Sequence, residues 1–431
     1  MPKIEVSNLT KVFGKHPAGV LPLLAQGETR ESIFKKSRHV VGLNRISFSV
    51  REGELLVVMG LSGSGKSTLL RCINRLIEPT SGSIRIDGED ITRLPPKELR
   101  LKRQQKFGMV FQHFALFPHY NVLRNAAYGL ELMKVPKKER EPKAMEALER
   151  VGLGAWAKAM PNKLSGGMKQ RVGLARALAM NPEILLMDEA FSALDPLTRR
   201  EMQGELLRLQ HEMHKTILFI SHDMDEALSL GDRIILLRDG DIVQEGTPED
   251  ILANPADEYV ADFVRHADRS RVLTAGSIMV PASSVAVLGV DGPHTALRKI
   301  RHHELSSLFV MDAFHTLLGL VREDELEKMR LRGKRDLAEI METGLTTVGL
   351  NTSINDIIPI IANLPHPLPV VDDRGRLQGV ILRGTLLEAL GGSTGSDDSG
   401  GSDENMTDEG VTDGNMNGSR EEHAVEGAAH E

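Results

Sequence analysis

The run Gly60-Leu61-Ser62-Gly63-Ser64-Gly65-Lys66-Ser67-Thr68 sets glycines, a lysine and a serine at the spacing of a phosphate-binding loop. The glycines let backbone N–H groups curl around an anion, and a helix start adds unpaired donors and partial positive charge. Lys66 is placed to reach β- and γ-phosphates, and the Ser67 hydroxyl to ligate Mg2+. Gly60, Ser62, Gly63, Ser64, Gly65, Lys66, Ser67 and Thr68 therefore form the candidate nucleotide-binding set. Such a loop needs a strand before it and a helix after it. Residues 54–59 read as a buried strand, and residues 69–76 as a helix.

Asp188 and Glu189 follow the apolar run 184–187. A carboxylate at the C-terminal end of a strand beside a phosphate loop can hold Mg2+ or its water. Leu164-Ser165-Gly166-Gly167-Met168-Lys169-Gln170 opens a helix, where Ser and Gly offer donors to a phosphate. This stretch resembles the signature sequence of ATP-binding cassette (ABC) ATPases. The resemblance implies ATP as the nucleotide. It also implies that Ser165, Gly166 and Gly167 contact the γ-phosphate held by a second subunit, and hence a homodimer. Asp188 is then the Mg2+ carboxylate and Glu189 the general base. Gln112, in Val110-Phe111-Gln112, looks like the residue that approaches Mg2+ and the attacking water. It also begins the helical insertion that docks on a membrane partner. His222 resembles the switch histidine, and Ser192-Ala193-Leu194-Asp195 the loop that couples the two sites. The adenine is expected to stack on Phe13, with Phe34 as the substitute. The resemblance thus makes Glu189, His222 and Gln112 catalytic candidates and Ser67, Gln112 and Asp188 metal candidates.

The positioning elements follow from pattern. Residues 3–13 alternate apolar and polar and read as a first strand; 14–40 read as an irregular insertion before a strand at 46–50. A strand with an Asp-Gly turn covers 84–88, residues 97–106 read as a basic helix, and 121–180 as mostly helical. Ala144, Leu148 and Val151 share one helix face. Further strands cover 184–187 and 216–220, and a hairpin turns at Asp239-Gly240. Alternating strands and helices around a phosphate loop predict an α/β core with a mostly parallel sheet.

The 431 residues, 41% of them hydrophobic and 26% charged, suffice for two or three domains. One cysteine, Cys72, excludes an internal disulfide framework. Met1-Pro2-Lys3-Ile4-Glu5 lacks an apolar signal core. The uncharged stretch 272–290 contains Pro281, glycines and hydroxyl residues and reads as folded chain, not a membrane span. From Gly391 onward eleven acidic residues meet one basic residue, a net of −10, so the rest of the chain carries +3 of the total −7. This is the composition of a disordered acidic tail on a near-neutral body. No strongly basic nucleic-acid face is visible.

Residues 274–390 hold a weak repeat. Ser277-Ile278-Met279 matches Glu339-Ile340-Met341, and the Val310 and Gly319 strands match those at Val371 and Gly379. The pair looks like tandem cystathionine-β-synthase-type (CBS) modules. The long insertion after Phe13 and the wording around the motifs, such as Asn74-Arg75-Leu76-Ile77-Glu78-Pro79, complete the likeness. They resemble the ATP-binding subunits of glycine betaine/proline importers. The expected organisation is an ABC ATPase domain over 1–265 with a helical subdomain at about 113–175, CBS modules at 274–331 and 335–390, and the tail at 391–431. The implied partners are a transmembrane permease and a separate substrate-binding protein, with no nucleic acid. The implied place is the cytoplasmic face of the bacterial inner membrane. Choline or carnitine are alternative cargoes. A non-transport ABC ATPase of translation or repair fits less well, because there is one cassette and only about 50 residues separate Gln112 from the signature. At the positions where nucleotide-binding CBS modules carry Ser/Thr and Asp, this chain has Arg322 and Glu325, then Leu382 and Thr385. Ordinary AMP-type binding is not expected there. The basic residues Lys328, Arg330, Arg332, Lys334 and Arg335 could exchange the acidic tail for anionic lipid as salt rises.

Overall fold

Strand Leu55–Met59 is buried along its whole length, and its residues divide by parity. Leu56 and Val58 join a core with Ile4, Ile46, Leu69 and Ile84. Leu55, Val57 and Met59 join a second core with Val122, Leu148, Val172 and Leu206. Side chains alternate faces along a strand, so one that is apolar at every position must be covered on both sides. The computed structural model of the protein, which describes residues 2–112, 114–265 and 267–391, supplies both covers.

The strand lies inside a six-stranded sheet, in the order Asp241–Gly246, Arg233–Arg238, Leu55–Met59, Thr216–Ile220, Ile184–Asp188, Phe107–Val110. All neighbours are parallel except the edge hairpin. One face shares its core with helix Lys66–Ile73 and a four-stranded antiparallel sheet built from Val40–Val50, Ile4–Phe13, Ser81–Ile86 and Glu89–Asp90. The other face is covered by the helices Val122–Leu132, Lys137–Arg150, Gly166–Leu178 and Pro196–Met213. Ala144 and Leu148 are buried on one face of their helix, as the spacing predicts.

Two local readings differ from the structure. The stretch 14–40 is largely helical, with a turn at Pro17–Val20 and helices Leu21–Ala25 and Arg30–Ser37. Val20, Leu24 and Ile33 close a small core on Val12 and Val41. The following strand begins at Val40 rather than Ile46. Register shifts along its pairing with the first strand, and a left-handed Arg45, break the alternation that marks a strand in sequence.

An ion cluster ties the start of the chain to the foot of the six-stranded sheet. Lys3 bridges Asp87 (2.8 Å) and Glu183, and Lys106 bridges Asp87 (2.9 Å) and Glu183 (2.6 Å). Hydrogen bonds from Lys106 and Lys3 hold the Glu183 carboxyl below the usual range. For Asp87 burial pushes upward, but the same two lysines outweigh it and the net direction is down.

The C-terminal repeat forms two three-stranded sheets of like topology, Val285–Val287/Ser307–Met311/Leu317–Arg322 and Val348–Gly349/Leu368–Val371/Leu377–Ile381. The repeats interlock. Ala275 and Ile278 lie in the core with Ile354, Val370 and Ile381, whereas Leu337 lies in the core with Ile300, Val310 and Val321. Each copy therefore opens inside the other's core, and a cut near residue 333 would split both. Among the described residues no helix is long and apolar enough to cross a membrane, and 272–290 is folded into this pair. Lys328 is paired with Glu325 at 2.7 Å, and Lys334 with Glu339, so part of the basic segment is neutralised locally. The acidic tail beyond Gly391 lies outside the described residues.

Residues 267–274 join the two halves and are bonded on both sides. Asp268 N donates to Asp225 Oδ1 (2.9 Å) and Arg271 Nη1 to Ser229 Oγ (2.9 Å), both on helix Met224–Leu230. On the other side Asn355 Nδ2 donates to the Ser270 carbonyl (3.2 Å) and Ile354 N to that of Leu273 (3.1 Å).

The cluster at the foot of the sheet sets a pH dependence. Depressed carboxylate values contribute stability that is full above the ordinary carboxylate range and is lost as pH falls through the folded values. Glu183→Gln should lower the thermal midpoint by a few degrees at neutral pH, with the gap to wild type closing below about pH 4. Calorimetry across pH 3–8 reads this directly, and a gap that persists unchanged into acid would contradict it.

Candidate active site

The phosphate loop leaves its strand through Gly60, at φ 145°. A Cβ there would lie 2.2 Å from the Leu237 carbonyl oxygen, and one at Gly65 (φ 109°) would lie 2.5 Å from that of Gly42. Both positions need glycine on steric and conformational grounds. Gly65 ends the turn, and helix Lys66–Ile73 starts beside it. Lys66 is buried, and its Nζ donates to the carbonyls of Gly60 (2.8 Å) and Leu61 (3.0 Å). Burial lowers its pKa, and the nearby Glu189 and Asp188 charges oppose that shift. Thr68 and Ser62 line the same cavity, of about 510 Å³, as Lys66 and Glu189. Ser64 is buried within the loop. Cys72, one turn on, is buried and its thiol is pushed up to about 12, which leaves it inert as a nucleophile.

Ser67 Oγ donates to Asp188 Oδ1 at 2.8 Å, and Arg71 Nη2 lies 3.5 Å from Asp188 Oδ2. A hydroxyl and a buried carboxylate converging on one point are hard oxygen donors of the kind Mg2+ takes, so the residues fit the ion. Next in the chain, Glu189 has a left-handed backbone, φ 46°. A non-glycine residue in that region costs on the order of 1–2 kcal/mol and persists only where its surroundings enforce it. Here Gln112 Nε2 donates to Glu189 Oε2 (3.2 Å), and His222 Nδ1 lies 3.3 Å from the same oxygen. Gln112 Nε2 also donates to Ser192 Oγ (3.2 Å), whose hydroxyl donates to the Glu189 carbonyl (2.9 Å). The structure thus brings together the phosphate loop, Asp188, Glu189, Gln112 and His222, from four adjacent strand ends.

Phe13 and Phe34 both line the cavity above the loop. Ser165, Gly166, Gly167 and Asp195 do not line it. Ser165 caps helix Gly166–Leu178 by accepting from Met168 N (3.3 Å), and with Gly166 is exposed. Asp195 caps helix Pro196–Met213 by accepting from Thr198 N (3.1 Å). Gly167 packs on Thr198 so closely that a Cβ would lie 2.3 Å from its methyl. These two sequence motifs form a separate, outward-facing unit.

Sequence reasoning missed three contributions. One is the hydrogen-bonding of Ser192, a residue it named only as part of the loop that couples the two sites. Another is Glu226, buried beneath the switch loop, where Ser221 Oγ and Gln203 Nε2 (3.1 Å) both donate to it. Burial pushes its carboxyl above the usual range. Arg199 is the third: it reaches Asp223 (3.2 Å) and the Leu194 carbonyl (3.2 Å) and so ties the switch loop to the loop before Asp195. None sits in a spacing pattern; only the excess of polar residues just after strand 216–220 hints at Glu226.

A family profile described as ABC transporter matches residues 43–192, and one described as CBS domain matches 337–392. The glycine betaine/carnitine transport ATP-binding protein of Listeria monocytogenes is 49% identical over 91% of this chain and 98% of its own. The glycine betaine transport ATP-binding protein of Bacillus subtilis is 49% identical over 91% and 93%. The glycine betaine/proline betaine transport system ATP-binding protein of Escherichia coli is 45% identical over 90% and 97%. Among solved structures, an ABC transporter component of Clostridium perfringens, cbiO1, aligns at TM-score 0.50 with 27% identity, over 59% of this chain and 92% of that one. With the phosphate loop, the carboxylate pair and the interlocked C-terminal repeat, these likenesses place the chain among the CBS-bearing ATP-binding subunits of the glycine betaine/proline family of ABC importers.

Proposed function

We propose that this chain hydrolyses ATP in the cavity above Lys66 and thereby drives a permease importing glycine betaine. The observation that carries the chemistry is the convergence of Gln112 and His222 on one oxygen of Glu189, beside the phosphate loop. A carboxylate held in this way is oriented to accept a proton from, or polarise, the water that attacks the γ-phosphate. Lys66, released from the Gly60 and Leu61 carbonyls, neutralises phosphate charge. Ser67 and Asp188, with Gln112 nearby, would hold Mg2+, which supplies charge neutralisation across the β- and γ-phosphates. The outward-facing Ser165–Gly167 and Asp195 supply the second half of a site on another copy, giving a homodimer that closes over two nucleotides. Closure and reopening then act on whatever is docked beside Gln112.

That partner is a membrane permease, served by a separate substrate-binding protein, and the chain works as a peripheral subunit on the cytoplasmic side of the bacterial inner membrane. An apolar groove of about 420 Å³ supports the docking; it includes Phe111, next to Gln112, with Phe117, Tyr128, Leu132 and Met180. Glycine betaine is favoured by the names of the relatives. The name of the Listeria relative also includes carnitine, which is therefore the second cargo to test.

Glu189→Gln should retain ATP binding and lose at least about a hundredfold in hydrolysis. In cells lacking this subunit, labelled glycine betaine uptake after a salt upshift should return with wild type and not with Glu189→Gln. Uptake of carnitine alone by the complemented cells would reassign the cargo. Leu132→Glu, at the rim of the groove, should leave the hydrolysis of the isolated subunit unchanged and abolish its co-purification with the permease. Retained co-purification would remove the groove from the interface.

A further inference from the structure

The insertion at 14–39 forms part of the nucleotide cavity. Its last helix, Arg30–Ser37, is fixed from three sides and cannot be treated as a loose loop. Thr29 caps it by accepting from Ser32 N (3.2 Å). Glu28 accepts from Ser32 Oγ (2.8 Å) and Lys36 Nζ (2.6 Å). Ile33 is fully buried against Val12 and Val41. Arg30 reaches back to the Val41 carbonyl and to Asp239 (3.3 Å), the turn of the edge hairpin beside the phosphate loop. This anchored helix presents Phe34 to the cavity that Lys66 also lines.

Phe34 is 44% exposed and Phe13 39%, and both line the nucleotide cavity. Phe13 lies across Gly42, where a Cβ would come within 2.8 Å of its ring and 3.4 Å of the Thr68 methyl. Its ring therefore lies low over the start of the phosphate-loop helix. Each ring also carries a cation: Lys11 Nζ is 5.0 Å from the Phe13 centroid and the Arg38 guanidinium 5.6 Å from that of Phe34. Two part-exposed aromatic rings lining a phosphate site suit a flat heteroaromatic ring.

We infer that Phe34, delivered by the insertion helix, is the second wall of a two-sided clamp on the nucleotide's base, with Phe13 as the first wall. This rests on the ATPase reading above and extends it: base affinity is set by an element outside the phosphate-binding motifs, held in place by Arg30. Stacking on a second ring is independent of the phosphate contacts, so it tightens binding without entering the chemical step.

The full chain with Mg2+ provides the test. Phe34→Ala should raise the Kd and KM for ATP about tenfold with kcat unchanged, and Phe34→Trp should restore both. Phe34→Trp in a Trp156→Phe background adds a spectroscopic readout. Its emission should be quenched by ATP and not by inorganic tripolyphosphate, which fills the loop but has no base. Equal quenching by both, no quenching by ATP, or an unchanged Kd in Phe34→Ala would overturn the clamp while wild-type binding keeps the ATPase reading. A fall in kcat alone would overturn it too. A wild-type chain that binds no ATP would overturn both readings together.

Discussion

The register of three parallel strands is the constraint on which the site depends. Val58 is paired with Ile220, and Ile220 with Asp188, so the three chains leave the sheet in one row. The phosphate loop, the Ser221–His222 turn and Glu189 therefore emerge side by side. On the far side Val110 is paired with Met187, which brings Gln112 alongside Glu189. A slip of one residue in any pairing would turn Asp188 from Ser67 toward the opposite core. The sheet resists such a slip because both faces are committed: even residues of Leu55–Met59 to one core, odd residues to the other. A slip would push side chains fitted to one core into the other, and mismatched packing of this kind costs on the order of 1–3 kcal/mol per side chain.

Rigidity at the sheet and strain at its rim go together. The left-handed backbone at Glu189 is tolerated because Gln112, Ser192 and His222 hold the side chain and carbonyl in place. Beneath them Glu226, Gln203 and Ser221 form a buried polar network that seats the switch turn. Arg199 then links that turn to the segment ending at Asp195. The outward-facing motifs and the cavity are thus connected within one chain through hydrogen bonds, although they do not share a pocket.

Much of this was legible in the sequence, for identifiable reasons. Fully apolar runs such as 184–187 and 216–220 ending in polar residues mark strand ends that can carry chemistry, which singled out Asp188 and Glu189, whereas His222 and the roles of all three came from the resemblance. The phosphate loop is readable because its glycines are sterically compelled, as Gly60 and Gly65 show. The helices at 14–40 were not legible: they are short, poor in apolar periodicity, and held by packing on the flanking strands at Val12 and Val41 and by an ion pair to the distant Asp239. The antiparallel sheet was hidden by pairings such as Ile4 with Ile86, far apart in the chain, and by bulges that disrupt alternation. Glu226 was missed because a buried charge is recognisable only by what surrounds it, and Arg199 because its partner Asp223 comes from a distant loop. The interlocking of the C-terminal repeats was invisible for the same reason, since sequence repeats show likeness and not which copy fills which core.

The segment joining the ATPase to the C-terminal pair has hydrogen bonds to helix Met224–Leu230 on one side and to helix Ile354–Asn363 on the other. Ser270 and Val272 within it are buried. It therefore behaves as a weld, and a tethering linker would leave such groups in water. Melting the second repeat would strip partners from the joint and, through Asp225 and Ser229, loosen the helix that begins just after His222. The joint gives local opening in the C-terminal pair a hydrogen-bonded route to the helix that follows the switch turn.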